Sequence, residues 1–433
     1  MVRCYKELKE SQWWSSERIA DVQSQRLRRL IRHAYHRVPY YRRMMDNHGV
    51  VPESVRTPAD LAALPVLTKA DVREHLGELV AEGFPRRDLL DSCTSGSTGA
   101  PLAFYSSRQN RWTHGLARSL RALEWAGVHP GDPLVRITGR GSFVRGAPFS
   151  RVARSLSREA FEDPVHFSDS SLPLVVDRIA RLRPQVLLGY SSAICIIAEY
   201  IRDSGSSAPK VGAVVTAGEQ LFDWQRVMIR DVFGSEPFSK YSSFENYEIA
   251  MECDAHAGLH VAAEDLIVEV VDDEGRPLEP GHLGRVLVTN LHEHGMPLIR
   301  YDTADESSVV DSACPCGRTL PRLSAVIGRA CDVVYTPSGK RLSANSLDSS
   351  GLVPLGVRQF QMVQERIDHV VVRVVPGASP AVGDTGAVVA EVKAQFSTWL
   401  GGDVEVDVAI VDHIEPTAAG KHLYLISNVA RPH

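Results

Sequence analysis

Apolar residues return every three or four positions between residues 17 and 48, where Leu27, Leu30, Ile31 and Ala34 stand in an Arg-rich background. That period predicts helices running into the aromatic turn Val38-Pro39-Tyr40-Tyr41. Within Ala62–Glu74, Pro65 is followed by Thr68 and then Asp71 three residues on, the pattern of a capped helix start. From about residue 110 to about 300 the pattern alternates between short β-branched runs and longer helical ones. Val186–Gly189 and Val211–Thr216 read as strands, and Ser191–Arg202 and Trp224–Phe233 as helices. This βαβ rhythm predicts a mostly parallel sheet covered by helices.

The rhythm changes at Leu266. Leu266–Val271, Gly284–Thr289 and Met296–Tyr301 read as strands separated by Asp273-Glu274-Gly275 and Pro280-Gly281, which predicts a compact β subdomain. After Gly328 a smaller α+β unit follows, with strands at His369–Val375 and Val404–Val411. Val388–Leu400 reads as a strand that continues into a helix, and the loop Glu415–Gly420 leads to Lys421. The expected fold is α/β. A large N-terminal domain over 1–328 carries mostly parallel sheet with helices plus the β subdomain, and a small α+β domain occupies 329–433.

Composition agrees with more than one core, because 433 residues exceed what a single core usually supports. Lys plus Arg number 48 and Asp plus Glu 53, a net charge of −5, which supplies no electrostatic case for a nucleic-acid or membrane partner. Residues 1–17 are charged and Trp-bearing, without the apolar stretch of a secretory signal. No apolar run approaches the ~20 residues that span a bilayer. The seven cysteines are odd in number and scattered, the usage of reduced thiols in a cytoplasmic protein.

Two patterns carry chemistry. The first is the loop Thr94–Leu102, Thr-Ser-Gly-Ser-Thr-Gly-Ala-Pro-Leu. Its glycines and hydroxyls present backbone N–H and O–H groups to an anion, as a phosphate site requires. Composition alone describes a Ser/Gly linker equally well, and no Gly-Lys-Ser/Thr follows to make a Walker loop. The second pairs Cys253-Asp254-Ala255-His256 with Cys314-Pro315-Cys316-Gly317, about 60 residues apart. Four such ligands in two short clusters suit a structural tetrahedral Zn²⁺ with no open position. His256, in a loop, is preferred as fourth ligand over His260, which begins a strand. The alternative is three unrelated thiols and a surface histidine.

The phosphate-type loop has company. Leu64-Pro65-Val66-Leu67-Thr68-Lys69, Trp125-Ala126-Gly127-Val128 with Pro130-Gly131-Asp132, Thr216-Ala217-Gly218-Glu219 and Tyr241-Ser242-Ser243-Phe244-Glu245 follow in order. Arg300-Tyr301-Asp302-Thr303-Ala304-Asp305, Gly328-Arg329 and Gly420-Lys421 complete the series. In this order, over roughly residues 20–430, they resemble the adenylate-forming enzymes, in particular phenylacetate–CoA ligase and its capsule-associated relatives. The resemblance implies ATP as cofactor, with Thr94, Ser95, Gly96, Ser97, Thr98 and Gly99 on its phosphates and Thr98 counted among the catalytic groups. It places Ala217, Gly218, Glu219, Tyr241 and Ser242 along the adenine and acyl site. Asp305 would meet the ribose, Arg329 would sit beside it, and Glu245 would hold Mg²⁺. Outside this family a lone Glu after an aromatic run, or an Asp and Arg, is an ordinary surface feature.

The same resemblance makes Lys421 the catalytic cation of a small mobile C-terminal domain. Attack of a carboxylate on the α-phosphate joins two anions and needs a positive charge between them. Phe143, Tyr190, Ser191 and Ala217 are candidates for the acid pocket, compatible with a flat aryl acid. Two departures stand out: Ala304 replaces the family's usual glycine, and Cys331, followed by Asp332, falls where a hinge Asp or Lys is expected. His114, Trp112 and the basic stretch Arg136–Arg154 read as a solvated face. The implied reaction converts a carboxylic acid and ATP into an acyl-adenylate, followed by transfer to CoA or a carrier-protein thiol. An amine or hydroxyl acceptor, and a catalytically silent zinc-stabilised adaptor, are the alternatives. A homodimer is compatible with these expectations.

Overall fold

The computed structural model describes residues 1–93, 102–139, 158–168, 170–327, 333–338, 341–343, 355–377, 385–417 and 420–429. The chain divides into two compact units, one formed by Met1–Gly131 and Phe238–Val326, the other by Asp132–Pro237 and Ile327–His433.

In the first unit, the helices Ser16–Arg37 and Pro39–Asn47 bury the stripe Leu27, Leu30, Ile31, Ala34, Tyr41 and Met45. This stripe packs with Ile267, Leu291, Leu298 and Tyr301 in one core. Thr68 caps the helix Lys69–Glu74 reciprocally: its hydroxyl accepts from Asp71 N, and the Asp71 carboxylate accepts from Thr68 N. Leu266–Val271, Gly284–Asn290 and Tyr301–Ser307 form an antiparallel three-stranded sheet. Phe238–Ser243, Tyr247–Glu252 and Leu259–Val261 pair antiparallel in a separate ladder.

The third strand of the β subdomain starts later than the sequence pattern suggests. Residues 296–300 are irregular: Pro297 cannot donate to a ladder, and Arg300 takes a φ of +51°. Tyr41 stands in for a strand partner, its hydroxyl donating to Pro297 O and accepting from Ile299 N.

In the second unit, Glu159–Glu162, Leu134–Ile137, Val186–Gly189 and Ala213–Ala217 lie side by side, all parallel. The helices Leu172–Leu182, Ser191–Ser204 and Asp223–Phe233 pack against them around Leu187, Ile194, Ile197 and Val214. The C-terminal part is a four-stranded sheet in the order Glu405–Ile410, His369–Pro376, Val357–Arg366, Leu425–Ser427. The segment expected to begin as a strand is helical throughout, Thr385–Leu400. Its buried residues Val388, Val392, Phe396 and Leu400 recur every fourth position, a helical period that overrides the β-branched valines. Among the described residues no helix is long and apolar enough to cross a membrane.

Candidate active site

In the second unit the strand Ala213–Ala217 ends at Gly218, whose φ is +78°. A Cβ at this position would lie 3.0 Å from Tyr190 Cε1 and 3.6 Å from Lys421 Nζ. Glycine is thus favoured by conformation and by the tight approach of the Tyr190 ring. The Lys421 ammonium stands 5.6 Å from the centre of the Tyr190 ring, within cation–π range. The Lys421 backbone is held by Thr417, whose N donates to Lys421 O at 2.8 Å and whose hydroxyl accepts from Lys421 N at 3.1 Å.

Beside this turn the Glu219 carboxylate is enclosed. Its Oε2 accepts from Ser192 N at 3.0 Å and its Oε1 from His422 N at 2.8 Å. Burial raises its pKa, while the Ser192 and His422 amides and the Lys421 charge oppose the rise. The Ser191 hydroxyl donates to Gln220 O at 2.7 Å and is fully buried, so of the pair Tyr190 and Ser191 it is Tyr190 whose ring borders Gly218 and Lys421.

The first unit holds Glu245 and Asp305 of the motif series. Tyr241 donates to Asp305 Oδ2 at 2.8 Å, and Tyr301 donates to Glu245 Oε1 at 2.8 Å. Burial and the Asp305 charge hold Tyr241 well above the usual phenol range, so it remains a donor. Glu245 and Tyr301 are both buried, and the phenol fixes the rotamer of the carboxylate. Ser242 stands opposite Glu248 in the ladder, next to Tyr241. Ala304 has a φ of +65°, with its N donating to Asp302 Oδ1 at 2.7 Å. The turn that aims Asp305 therefore calls for the left-handed region that a glycine takes without strain.

Also in the first unit, Cys253, His260, Cys314 and Cys316 bring their ligand atoms within 4.8 Å of one another. The Cys253 and Cys314 sulfurs are 3.7 Å apart, and Cys316 Sγ lies 3.3 Å from His260 Nε2. Zn–S bonds of ~2.3 Å in a tetrahedron set an S···S edge of about 3.8 Å, so the group fits this ion. His260 Nδ1 faces Leu320 O at 3.3 Å, which leaves Nε2 for a metal. Burial lowers the pKa of this ring to about 4 and keeps it neutral, while burial pushes the Cys253 thiol up to about 12.

The histidine preference from spacing is corrected here. His256 has a φ of +46°, packs on Phe238 and places Nδ1 3.3 Å from Glu252 Oε2. His260 lies in the strand Leu259–Val261, and that strand, paired with Arg322–Leu323, aims it at the sulfurs.

Comparison with known proteins places this geometry in a family. The phenylacetate–coenzyme A ligase of Thermus thermophilus is 30% identical over 360 residues, covering 81% of this chain and 79% of that protein. The chain belongs to the phenylacetate–coenzyme A ligase family of adenylate-forming enzymes. Protein CapK of Staphylococcus aureus is 22% identical over 422 residues, 94% of this chain and 89% of that protein. The CapK C-terminal domain model matches residues 334–428, the stretch that contains Lys421. In fold, 2-hydroxyisobutyryl-CoA ligase in complex with R3-HIB-AMP superposes with a TM-score of 0.81 at 21% identity, covering 96% of this chain and 91% of that chain.

Several positions that the ligase resemblance singles out lie outside the described residues: Thr94, Ser95, Gly96, Ser97, Thr98 and Gly99, Phe143, Arg329 and the pair Cys331-Asp332. Of the basic stretch Arg136–Arg154, Arg136 is described and pairs with Glu159 at 2.7 Å.

One polar cluster corrects the expectation that His114 belongs to a solvated face. Asp265 lies 3.4 Å from His114 Nδ1 and 3.0 Å from His292 Nε2, and the two imidazoles stack 3.5 Å apart. Against its burial, the two imidazoles and Arg118 hold Asp265 well below the usual carboxylate range. Arg26 donates to Asp265 at 2.7 Å and Arg118 stands at 3.6 Å, so the buried carboxylate is engaged by cations as well as by the two imidazoles. Residues this far apart in sequence share no local pattern that would reveal it.

Proposed function

We propose that this protein activates a small carboxylic acid with ATP, releasing pyrophosphate, and transfers the acyl group from the adenylate to coenzyme A. The observation that carries the reading is the Lys421 ammonium beside Gly218 and the Tyr190 ring, at a turn where a Cβ at 218 would crowd the Tyr190 ring. A cation held there stabilises the charge that develops when a carboxylate attacks the α-phosphate. Residues 329–433 act as a small mobile domain that brings the lysine to this step. Asp305, oriented by Tyr241, accepts the ribose hydroxyls, and Arg329 assists it. The backbone and hydroxyls of Thr94–Gly99 are the proposed holders of the β- and γ-phosphates, with Thr98 counted among the catalytic groups, and Ala217 and Gly218 are the second unit's contribution to the adenine and acyl site.

Glu245 is the proposed carboxylate ligand of Mg²⁺, which when bound neutralises phosphate charge; one protein carboxylate with phosphate oxygens is a common set for this cation. Cys253, His260, Cys314 and Cys316 would hold a structural Zn²⁺ with all four positions filled by protein. Tyr190, a buried aromatic at the turn, favours a flat aryl acid, with Phe143 completing the pocket. The names of the relatives favour coenzyme A as acceptor.

ATP–pyrophosphate exchange over a panel of aryl and short alkyl acids tests the first half-reaction, and mass detection of acyl-CoA on adding CoA tests the second. Exchange with an aryl acid and a new thioester are expected. A folded protein without exchange for any acid would refute the proposal.

A further inference from the structure

Glu219 connects two separate segments of the second unit. Its Oε2 receives the N–H of Ser192, in the first turn of the helix Ser191–Ser204, and its Oε1 receives the N–H of His422, the residue after Lys421. The His422 ring is anchored on its own, with Nε2 2.9 Å from Phe360 O. Burial lowers its pKa to about 4, so the ring is neutral and donates that bond. Lys421 thus has the Thr417 turn on one side and a doubly fastened residue on the other. Gly420 adds a close approach: its φ is +77°, and a Cβ there would lie 3.1 Å from Pro164 Cγ.

We infer that Glu219 is a positioning residue for Lys421, its carboxylate docking the lysine loop against the Gly218 turn so that the adenylation half-reaction depends on it. The inference rests on the role of Lys421 proposed above and reassigns Glu219, which the family resemblance puts along the adenine site. Two N–H donors, one on each oxygen, meet the side chain together with the Ser192 hydroxyl, and only a group with two acceptor oxygens and no hydrogen takes an N–H on each. A glutamine of the same shape has one oxygen, so its NH₂ opposes one of the two amides. The Ser191 hydroxyl, 3.3 Å from Oε2, cannot compensate, because its single hydrogen goes to Gln220 O.

The dependence belongs to one half-reaction for a chemical reason. Attack on the α-phosphate joins two anions and requires the lysine between them. Thioester formation breaks the bond from the acyl carbon to the phosphate oxygen and releases AMP, with the thiol sulfur adding at carbon and its proton passing to solvent. It builds no new bond at phosphorus.

The experiment uses full-length Glu219→Gln and Glu219→Ala proteins with matched melting temperatures. Pyrophosphate exchange should lose about 10–100-fold in kcat with KM for ATP within about threefold. Thioester formation from a supplied acyl-adenylate and CoA should stay within about twofold of wild type. Without substrates, hydrogen exchange at the His422 amide should quicken at least about tenfold. A raised KM for ATP at unchanged kcat would instead make Glu219 a nucleotide contact, and equal losses in both half-reactions would make it a general structural residue. Either result overturns the inference, as does unchanged exchange at His422. If wild type activates no acid, the ligase reading fails, and the His422 exchange rate still decides the docking.

Discussion

Lys421 and Ala304 are the residues where single atoms matter most. Truncating Lys421 removes a cation and leaves the Gly218 turn and the Glu219 clasp in place. Lys421→Ala should therefore lower pyrophosphate exchange by about 10²–10³-fold, the effect typical of losing one preorganised electrostatic group. Its urea midpoint should match wild type; exchange at the wild-type rate would remove Lys421 from the mechanism. Ala304 is the opposite case, a residue whose type is slightly wrong for its backbone. Its φ of +65° costs an L-residue about 1–2 kcal/mol, part of which glycine loses again through unfolded-state entropy. Ala304→Gly should raise stability by about 0.5–1 kcal/mol in urea melts without loss of exchange activity. The family resemblance marks Ala304 as a departure from the usual glycine, and the backbone shows why glycine suits the position.

At the scale of elements, the helix Ser191–Ser204 joins the lysine loop to the parallel sheet and carries a buried acid of its own. Glu199 lines a small pocket with Cys195, Trp224, Phe360, His422 and Tyr424. Burial raises its pKa from 4.5 to about 8, with Arg202 and Arg358 opposing the rise and Asp203 adding to it. The folded protein holds this proton up to about pH 8, whereas the unfolded chain releases it near 4.5. The contribution is therefore fully present below pH 4.5 and is lost as pH rises through about 8. Glu199→Gln should melt like wild type near pH 5 and at a higher temperature at pH 8 and above; parallel curves across that range would contradict the assignment. Elements with a clean local period were legible in the sequence: Val186–Gly189 and Leu266–Val271 are strands with the expected bounds. Met296–Arg300 and the start of Thr385–Leu400 were not. In the first, a tyrosine side chain replaces a strand partner, and in the second, valines with β-propensity pack at helical spacing.

At the scale of the molecule, the thiol and imidazole cluster ties the loop after Glu252 to the segment around Cys314–Cys316 in one unit. Purified protein should contain about one equivalent of zinc. His260→Ala should lower that content and the melting temperature, whereas His256→Ala should leave both near wild type. Chelation that strips the metal should release the same unit, seen as faster hydrogen exchange across residues 253–260 and 314–323. Less than about one tenth of an equivalent in protein purified without chelator would end the zinc proposal.

What the sequence determined by itself is the order of motifs from the phosphate-type loop to Gly420-Lys421, and with it the family, together with the periodic helices and strands. These are local properties, written in spacings of two to four residues and in short runs. The tertiary structure decided which side chains meet. His260 rather than His256 reaches the sulfurs because strand pairing aims it there. Glu219 clasps the lysine loop because a helix start and a distant turn converge on one carboxylate. Asp265 gathers Arg26, the neighbouring pair His114 and Arg118, and His292 from three places in the chain. Such meetings depend on register, on turns with positive φ and on long-range packing, none of which leaves a periodic trace along the chain.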